Sequence, residues 1–314
     1  MLSKSDFQAL LDRKGTLIID GGLATELEKR GHDLNHALWS AKLLKENPDS
    51  ITKLHYDYFH SGADIAITAS YQASVEGMAK HFGMSETEAL KLISLSVELA
   101  IKARDQMNDP SLLIAGSVGP FGAYLADGSE YRGDYKRTKS ELQYFHRPRI
   151  EQLIKAGADI LAIETMPQLL EIEAIMELLE TEFPHAIALL CCTTKDAEHL
   201  SDGSAFTDLF QVVRRHQNRI VAVGINCVPL ISVTDTLNHL HASAPGVPLI
   251  CYPNSGEEWD AVTKTWKGAP PECSDLALLA RKWIDSGAKL IGGCCRTSPS
   301  DIQVIRQAID GHKP

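Results

Sequence analysis

Ser286-Gly287-Ala288-Lys289-Leu290-Ile291-Gly292-Gly293-Cys294-Cys295-Arg296-Thr297 is the stretch that decides the architecture. A helical pattern, Leu276 to Ile284, runs up to it. Gly287 stands where a helix C-cap needs a left-handed residue. The apolar run that follows lacks polar alternation, as in a parallel strand buried on both faces. It ends in two glycines and two cysteines. Helix, glycine turn, buried strand and then reactive side chains make up one repeating unit of an α/β fold.

The same order recurs upstream, in the turns Ser61-Gly62-Ala63-Asp64 and Ala156-Gly157-Ala158-Asp159. Candidate strands are Leu17 to Asp20, Asp64 to Thr68, Leu112 to Ser117, Asp159 to Glu164, Ala186 to Cys192, Ile220 to Asn226, Val247 to Cys251 and Lys289 to Gly293. Between them lie helical patterns. Glu86 to Gln106 sets Ala89, Ile93, Val97 and Ala100 near one face, and Leu169 to Leu179 behaves similarly. Eight βα units in sequence predict a single-domain (β/α)8 TIM barrel over residues 1–314. An open, doubly wound sheet is the competitor. It would carry a Gly-rich phosphate fingerprint after its first strand, and Asp20-Gly21-Gly22-Leu23 is too short for one. Two long insertions, Phe121 to Lys139 and Tyr252 to Cys273, follow strands three and seven. Long connections are usually functional, and both leave the strand ends where barrel enzymes place their sites.

Composition narrows the function. The chain is 44% hydrophobic and 23% charged, ordinary for a soluble globular fold. A formal net charge of −10 argues against a nucleic-acid partner, which a basic face would meet, and mildly favours a cationic substrate. No apolar run reaches the roughly 18 residues needed to cross a bilayer. The start Met1-Leu2-Ser3-Lys4-Ser5-Asp6 is no signal peptide. The expectation is a cytoplasmic enzyme with no membrane partner. Its seven cysteines are then thiols or metal ligands rather than disulfides.

A barrel gathers the strand ends on one rim. If Cys227 meets Cys294 and Cys295 there, three thiolates form a cup with one open position. That is the arrangement of a catalytic zinc rather than a structural one, and a substrate thiol would complete the tetrahedron. Asp20 and Glu164 on the same rim suit an ammonium group. Gly21 and Gly22 suit a carboxylate approaching backbone N–H groups. Together these describe a pocket for a thiol amino acid.

Each feature has a plainer explanation. A buried cysteine is usually a small core hydrophobe, which is the preferred reading of Cys191, Cys192, Cys251 and Cys273. Adjacent cysteines on a regular strand face opposite ways, so Cys294 and Cys295 converge only if the strand has ended at Gly292-Gly293. The spacing alone leaves cup and core both open. Asp20 before two glycines also suits a turn. The 12 histidines show no HExxH spacing and are assigned to solvated or capping roles. No Gly-x-Ser-x-Gly elbow marks a serine hydrolase.

Gly224-Ile225-Asn226-Cys227, Gly292-Gly293-Cys294-Cys295-Arg296-Thr297 and Asp20-Gly21-Gly22 resemble the homocysteine S-methyltransferase family over nearly the whole chain. Ile67 to Ser74, Gly119 to Tyr135 and Tyr252 to Glu257 resemble its bacterial S-methylmethionine-dependent members in particular. The resemblance implies that Cys227, Cys294 and Cys295 bind Zn2+. It implies that Asp20, Gly21, Gly22, Glu164 and Asn226 bind homocysteine. In the betaine-dependent enzymes a tyrosine follows the strand-four glutamate and can cap the metal. Here that position is Thr165. The C-terminal extension by which those enzymes oligomerise is not matched, so a monomer or weak homodimer is expected.

The reaction this implies is attack of zinc-activated homocysteine on the methyl of S-methylmethionine, with S-adenosylmethionine as a poorer donor. No catalytic side chain beyond the activated thiolate is required. Tyr124, Tyr131, Trp259 and Trp266 in the two insertions are candidates for holding the sulfonium. The alternatives are betaine as donor, selenocysteine as acceptor, or a zinc-storing or redox-sensing barrel without turnover. A zinc-assisted lyase fits less well, because it would use histidine or carboxylate ligands.

Overall fold

The computed structural model describes residues 1–34, 38, 41–243, 246–256, 258–260, 265–267 and 273–311, and these contain ten strands. They are β1 (Leu17–Ile18), β2 (Ile65–Ile67), β3 (Leu113–Val118), β4 (Ile160–Met166), β5 (Ala188–Cys192), β6 (Ile220–Asn226), β7 (Leu249–Tyr252), β8 (Glu258–Asp260), β9 (Thr265–Lys267) and β10 (Ala288–Ile291). Eight form one sheet in the order β1-β10-β7-β6-β5-β4-β3-β2. A parallel bridge between Ile19 and Ile65 closes it, with Asp20 N–H donating to Ile65 O at 3.0 Å. The molecule is a (β/α)8 barrel, and each of the eight expected runs supplies one of its strands.

The helices are α1 (Lys4–Lys14), α2 (Leu23–Lys29), α3 (Ala41–Glu46), α4 (Pro48–His60), α5 (Val75–Phe82), α6 (Glu86–Asp105), α7 (Phe121–Leu125), α8 (Lys139–Lys155), α9 (Leu169–Glu182), α10 (Phe206–Arg215), α11 (Val233–Ser243), α12 (Cys273–Asp285) and α13 (Pro299–Asp310). Ser85 and Thr138 open α6 and α8 with capping boxes, each closed by a glutamate three residues on. Phe7, Leu10 and Leu11 of α1 join the inward side chains Leu17, Ile65 and Leu189 in one buried cluster, so α1 plugs the barrel floor. Cys191, Cys192 and Cys251 are buried core residues, as their strand positions predict. The side chain of Cys273 lies outside the described residues.

The floor also holds two buried or half-buried acids. Asp64 accepts from Lys14 Nζ at 2.6 Å, from Arg306 Nη2 at 2.5 Å and from Ile18 N–H at 2.8 Å. Asp159 accepts from Arg104 at 3.0 Å and from Ile114 N–H at 2.8 Å. Both tie the start of a strand to a surrounding helix.

Both insertions carry secondary structure of their own. Phe121 to Lys139 contains α7 and a 3-10 turn, Ser129–Tyr131. The segment after β7 contains the antiparallel ribbon β8–β9, in which Trp259 stands opposite Trp266. The side chains of both tryptophans lie outside the described residues. Among the described residues, no helix is long and apolar enough to cross a membrane.

Candidate metal and substrate site

The last barrel strand ends at Ile291, two residues before Gly293. Gly292 and Gly293 still pair by single bonds, Gly292 N–H to Cys251 O at 3.0 Å and Gly293 N–H to Asp20 O at 3.1 Å. Their lack of a side chain allows this. A Cβ at Gly292 would lie 2.7 Å from Ile19, and one at Gly293 would lie 2.1 Å from Thr297. The chain then turns, with Thr297 N–H donating to Cys294 O at 3.1 Å and Arg296 in the left-handed region (φ 63°). Adjacent cysteines therefore escape the two-faced alternation of a strand.

Cys227 follows β6 and is itself left-handed (φ 53°). Its N–H donates to Tyr252 O at 3.1 Å, and Cys294 N–H donates to Pro253 O at 2.7 Å. The three sulfurs of Cys227, Cys294 and Cys295 lie within 4.8 Å of one another. The Cys227 and Cys295 sulfurs are 3.8 Å apart. Two sulfurs about 2.3 Å from one tetrahedral ion are separated by about 3.8 Å, so this edge matches a metal cup. Cys227 and Cys295 are buried and Cys294 is half-buried. Hydrogen bonds from Cys294, Cys295, Tyr131 and Asn254 hold the Cys227 thiol well below its usual range against the cost of burial. The same bonding to Cys227 pushes Cys294 and Cys295 up.

Asp20 follows β1 and is buried, with Oδ2 accepting from Ile67 N–H at 2.9 Å. Glu164, on β4, accepts from the Ser117 hydroxyl and from Tyr252 Oη at 3.1 Å. Burial raises the Asp20 carboxyl well above its ordinary value, and Glu164 adds to the rise. Burial carries Glu164 up to about 7 against its two hydroxyl donors, with the Cys227 charge adding to the rise. Among the described residues neither acid has a Lys or Arg ion pair. His55 Nδ1 is 3.9 Å from Asp20, but burial lowers that imidazole to about 4, which leaves it neutral. Asp20 and Glu164 are thus buried and act on one another, and the charge of Arg149 reaches Glu164 only from beyond ion-pair distance.

The glycines and Asn226 have local duties. A Cβ on Gly21 would lie 2.5 Å from Thr297 O, and one on Gly22 would lie 2.5 Å from Cys294 O. Glycine here lets the first turn touch the cysteine turn. Gly22 N–H donates to Thr297 O at 2.9 Å, so it is engaged in that contact. Asn226 accepts from Thr165 N–H at 2.7 Å and donates to Thr165 Oγ1 at 2.8 Å. Thr165 has φ 61°, an outlier for a β-branched residue, and the Asn226 amide holds it there.

The β3 insertion covers the cup. Tyr131 Oη lies 3.2 Å from Cys227 Sγ. Tyr124 instead packs against Phe121 and Phe145 with Lys80 over its ring, which places it in an aromatic cluster beside α8. Buried Glu171 fastens the insertion, accepting from Phe121 N–H at 2.6 Å, from the Tyr135 hydroxyl and facing His146 Nε2 at 2.6 Å. Arg149 Nη2 reaches both His146 Nδ1 at 2.9 Å and Gly119 O at 2.6 Å. The sequence places Ser117 and Tyr252 at strand ends on this rim without a role; their bonds to Glu164 come from the barrel register.

Comparisons place these features in a lineage. Residues 17–309 match the family model described as homocysteine S-methyltransferase. The homocysteine S-methyltransferase of Escherichia coli is 50% identical over 98% of this chain and 99% of its own. Homocysteine S-methyltransferase YbgG of Bacillus subtilis is 49% identical over 95% of this chain and 96% of its own. The crystal structure of the metallated E. coli homocysteine methyltransferase MmuM superposes with a TM-score of 0.86 at 48% identity, covering 95% of this chain and 98% of that one. The chain belongs to the homocysteine S-methyltransferase family and is an enzyme of homocysteine methylation.

Proposed function

We propose that this enzyme is a zinc-dependent, S-methylmethionine:homocysteine methyltransferase of the cytoplasm, with all of residues 1–314 serving one homocysteine-binding barrel. The observation that carries this reading is the sulfur cup, whose 3.8 Å edge fits a tetrahedral ion. An all-sulfur ligand set suits zinc. When bound, the metal supplies a homocysteine thiolate at neutral pH.

The side chains do the rest. Asp20 and Glu164 pair with the homocysteine ammonium, and the Gly21 amide takes its carboxylate. Gly22 and Asn226 act by fixing the two turns that carry the cysteines. The substrate sulfur then attacks the donor methyl in line. The new S–CH3 bond forms as the sulfonium C–S bond breaks, and the departing electron pair neutralises the sulfonium. S-methylmethionine and homocysteine thus give two methionines. No proton moves in that step, so no general base is required. Positioning of two bound reactants supplies most of the acceleration. The protein acts as a monomer or weak homodimer.

The test is methionine formation from homocysteine with S-methylmethionine, S-adenosylmethionine or betaine, with and without a chelator. Fast transfer from S-methylmethionine that a chelator abolishes and zinc restores is expected. Transfer from betaine alone, or transfer indifferent to chelation, would refute the donor or the metal respectively.

A further inference from the structure

Glu130 is an acid at this rim to which the reading above gives no role. Its backbone is well fixed. Thr193 Oγ1 donates to Glu130 O at 2.9 Å and itself accepts from Ser201 Oγ at 2.9 Å. Gly122 lies directly beneath, where a Cβ would come within 2.6 Å of Glu130 N. The side chain is another matter. Its Oε2 is shielded from solvent and has no hydrogen-bond partner among the described residues.

Cys227, Tyr71 and Tyr131 are near enough to act on its charge, as are Asp127 and Arg132 on its own loop. Tyr131, the next residue, touches the Cys227 sulfur at 3.2 Å. The nearby cation is Arg132, whose side chain is 49% exposed and pairs with Asp134 at 2.9 Å and Asp127 at 3.8 Å. It points its charge at the surface. A shielded carboxylate oxygen without a hydrogen-bond partner is costly unless a ligand brings the opposite charge.

We propose that Glu130 receives the cationic end of the methyl donor, a sulfonium flanked by the Tyr71 and Tyr131 rings. This rests on the methyl-transfer reading above. Asp20 and Glu164 already answer the ammonium of homocysteine, from β1 and β4. Glu130 stands beside the same sulfur cup on a different element, the β3 insertion. A sulfonium sulfur offers no hydrogen bond, so a carboxylate and aromatic faces are the means of holding it.

The test is Glu130→Gln, an isosteric change that removes the charge. The KM for S-methylmethionine at saturating homocysteine should rise tenfold or more, as expected for loss of a charged contact. The KM for homocysteine and the bound metal should stay within twofold. Calorimetric titration of S-methylmethionine in the absence of homocysteine should show the same loss of affinity. Glu130→Asp should recover part of it. A donor KM within twofold of wild type, or a homocysteine KM that rises in step, overturns the assignment. A purely structural Glu130 would shift thermal stability and leave the donor KM alone. If wild-type enzyme takes methyl from betaine only, the sulfonium donor is wrong. The comparison is still readable, because betaine is also a cation, and an unchanged betaine KM in Glu130→Gln then overturns the role of Glu130.

Discussion

The two ends of the barrel treat buried acid in opposite ways. At the floor, Asp64 is held by Lys14, Arg306 and a backbone N–H, and Asp159 by Arg104 and a backbone N–H. At the rim, Asp20, Glu164 and Glu130 carry no such pair among the described residues. Three of the five described non-glycine residues with positive φ, Thr165, Cys227 and Arg296, also lie at the rim, while Asn108 and Ala126 lie in connections away from the cup. Charges that serve the fold are neutralised within the chain. On the reading proposed above, the rim carboxylates await a substrate's cation, at a standing cost to stability.

The sharpest test of that division is the cup itself. Cys227→Ala or Cys295→Ala should abolish stoichiometric metal binding, read by elemental analysis. The kcat/KM should fall by roughly two to three orders of magnitude, because the bound homocysteine loses both thiolate character and placement. Stability of the metal-free protein should change little by comparison. Retained metal with full activity in either variant would break the assignment of the rim to function.

Glu164→Gln comes next, and it should move activity and stability in opposite directions. Homocysteine KM should rise about tenfold or more from loss of a charged partner. For stability, the folded carboxyl sits near 7 against an ordinary 4.5. The folded protein therefore keeps this proton while the unfolded chain has released it. Stability of the metal-free protein falls as pH rises from about 4.5 to about 7, and it stays low above that. Glu164→Gln has no such fall. Relative to wild type it should gain on the order of 3 kcal/mol between pH 4 and pH 8, measured by urea unfolding in chelator.

A floor substitution should do the reverse. Arg306→Met removes one of two cations from Asp64 and should cost about 2 kcal/mol by urea unfolding. Neither substrate KM should change, since the floor is a barrel's length from the sulfurs. A change in homocysteine KM would show that the two ends are coupled.

How far the sequence discloses this arrangement depends on range. The strands were legible because parallel strands buried on both faces leave continuous apolar runs, and glycine turns such as Ser286-Gly287-Ala288 mark their starts. The cup was half legible. Cys227, Cys294 and Cys295 stood at strand ends, but their convergence needs the strand to stop at Ile291, and the Gly292 contact with Ile19 that allows it joins opposite ends of the chain. Pairings such as Asn226 with Thr165, or Ser117 with Glu164, depend on barrel register and leave no local pattern. Tyr131 was legible as an aromatic in a long loop, and its contact with Cys227 was not.

Tyr252 shows the smallest and most specific consequence. It follows Cys251 at the end of β7, and the barrel turns its ring inward, where its hydroxyl donates to Glu164 Oε2 at 3.1 Å. That donor is neutral, so it favours the ionised acid without cancelling its charge, which is what an ammonium receptor requires. Tyr252→Phe removes the donor and keeps the ring. The loss should be about 1 kcal/mol, or roughly a fivefold rise in homocysteine KM. Its pH dependence separates this from a packing defect. Without the hydroxyl, Glu164 holds its proton to still higher pH, because one of the bonds lowering its value is gone. The rise in KM should therefore be largest near neutrality and shrink toward pH 9, where the acid is ionised in both proteins. A KM ratio flat with pH would mean that Tyr252 shapes the pocket and does not tune the carboxylate.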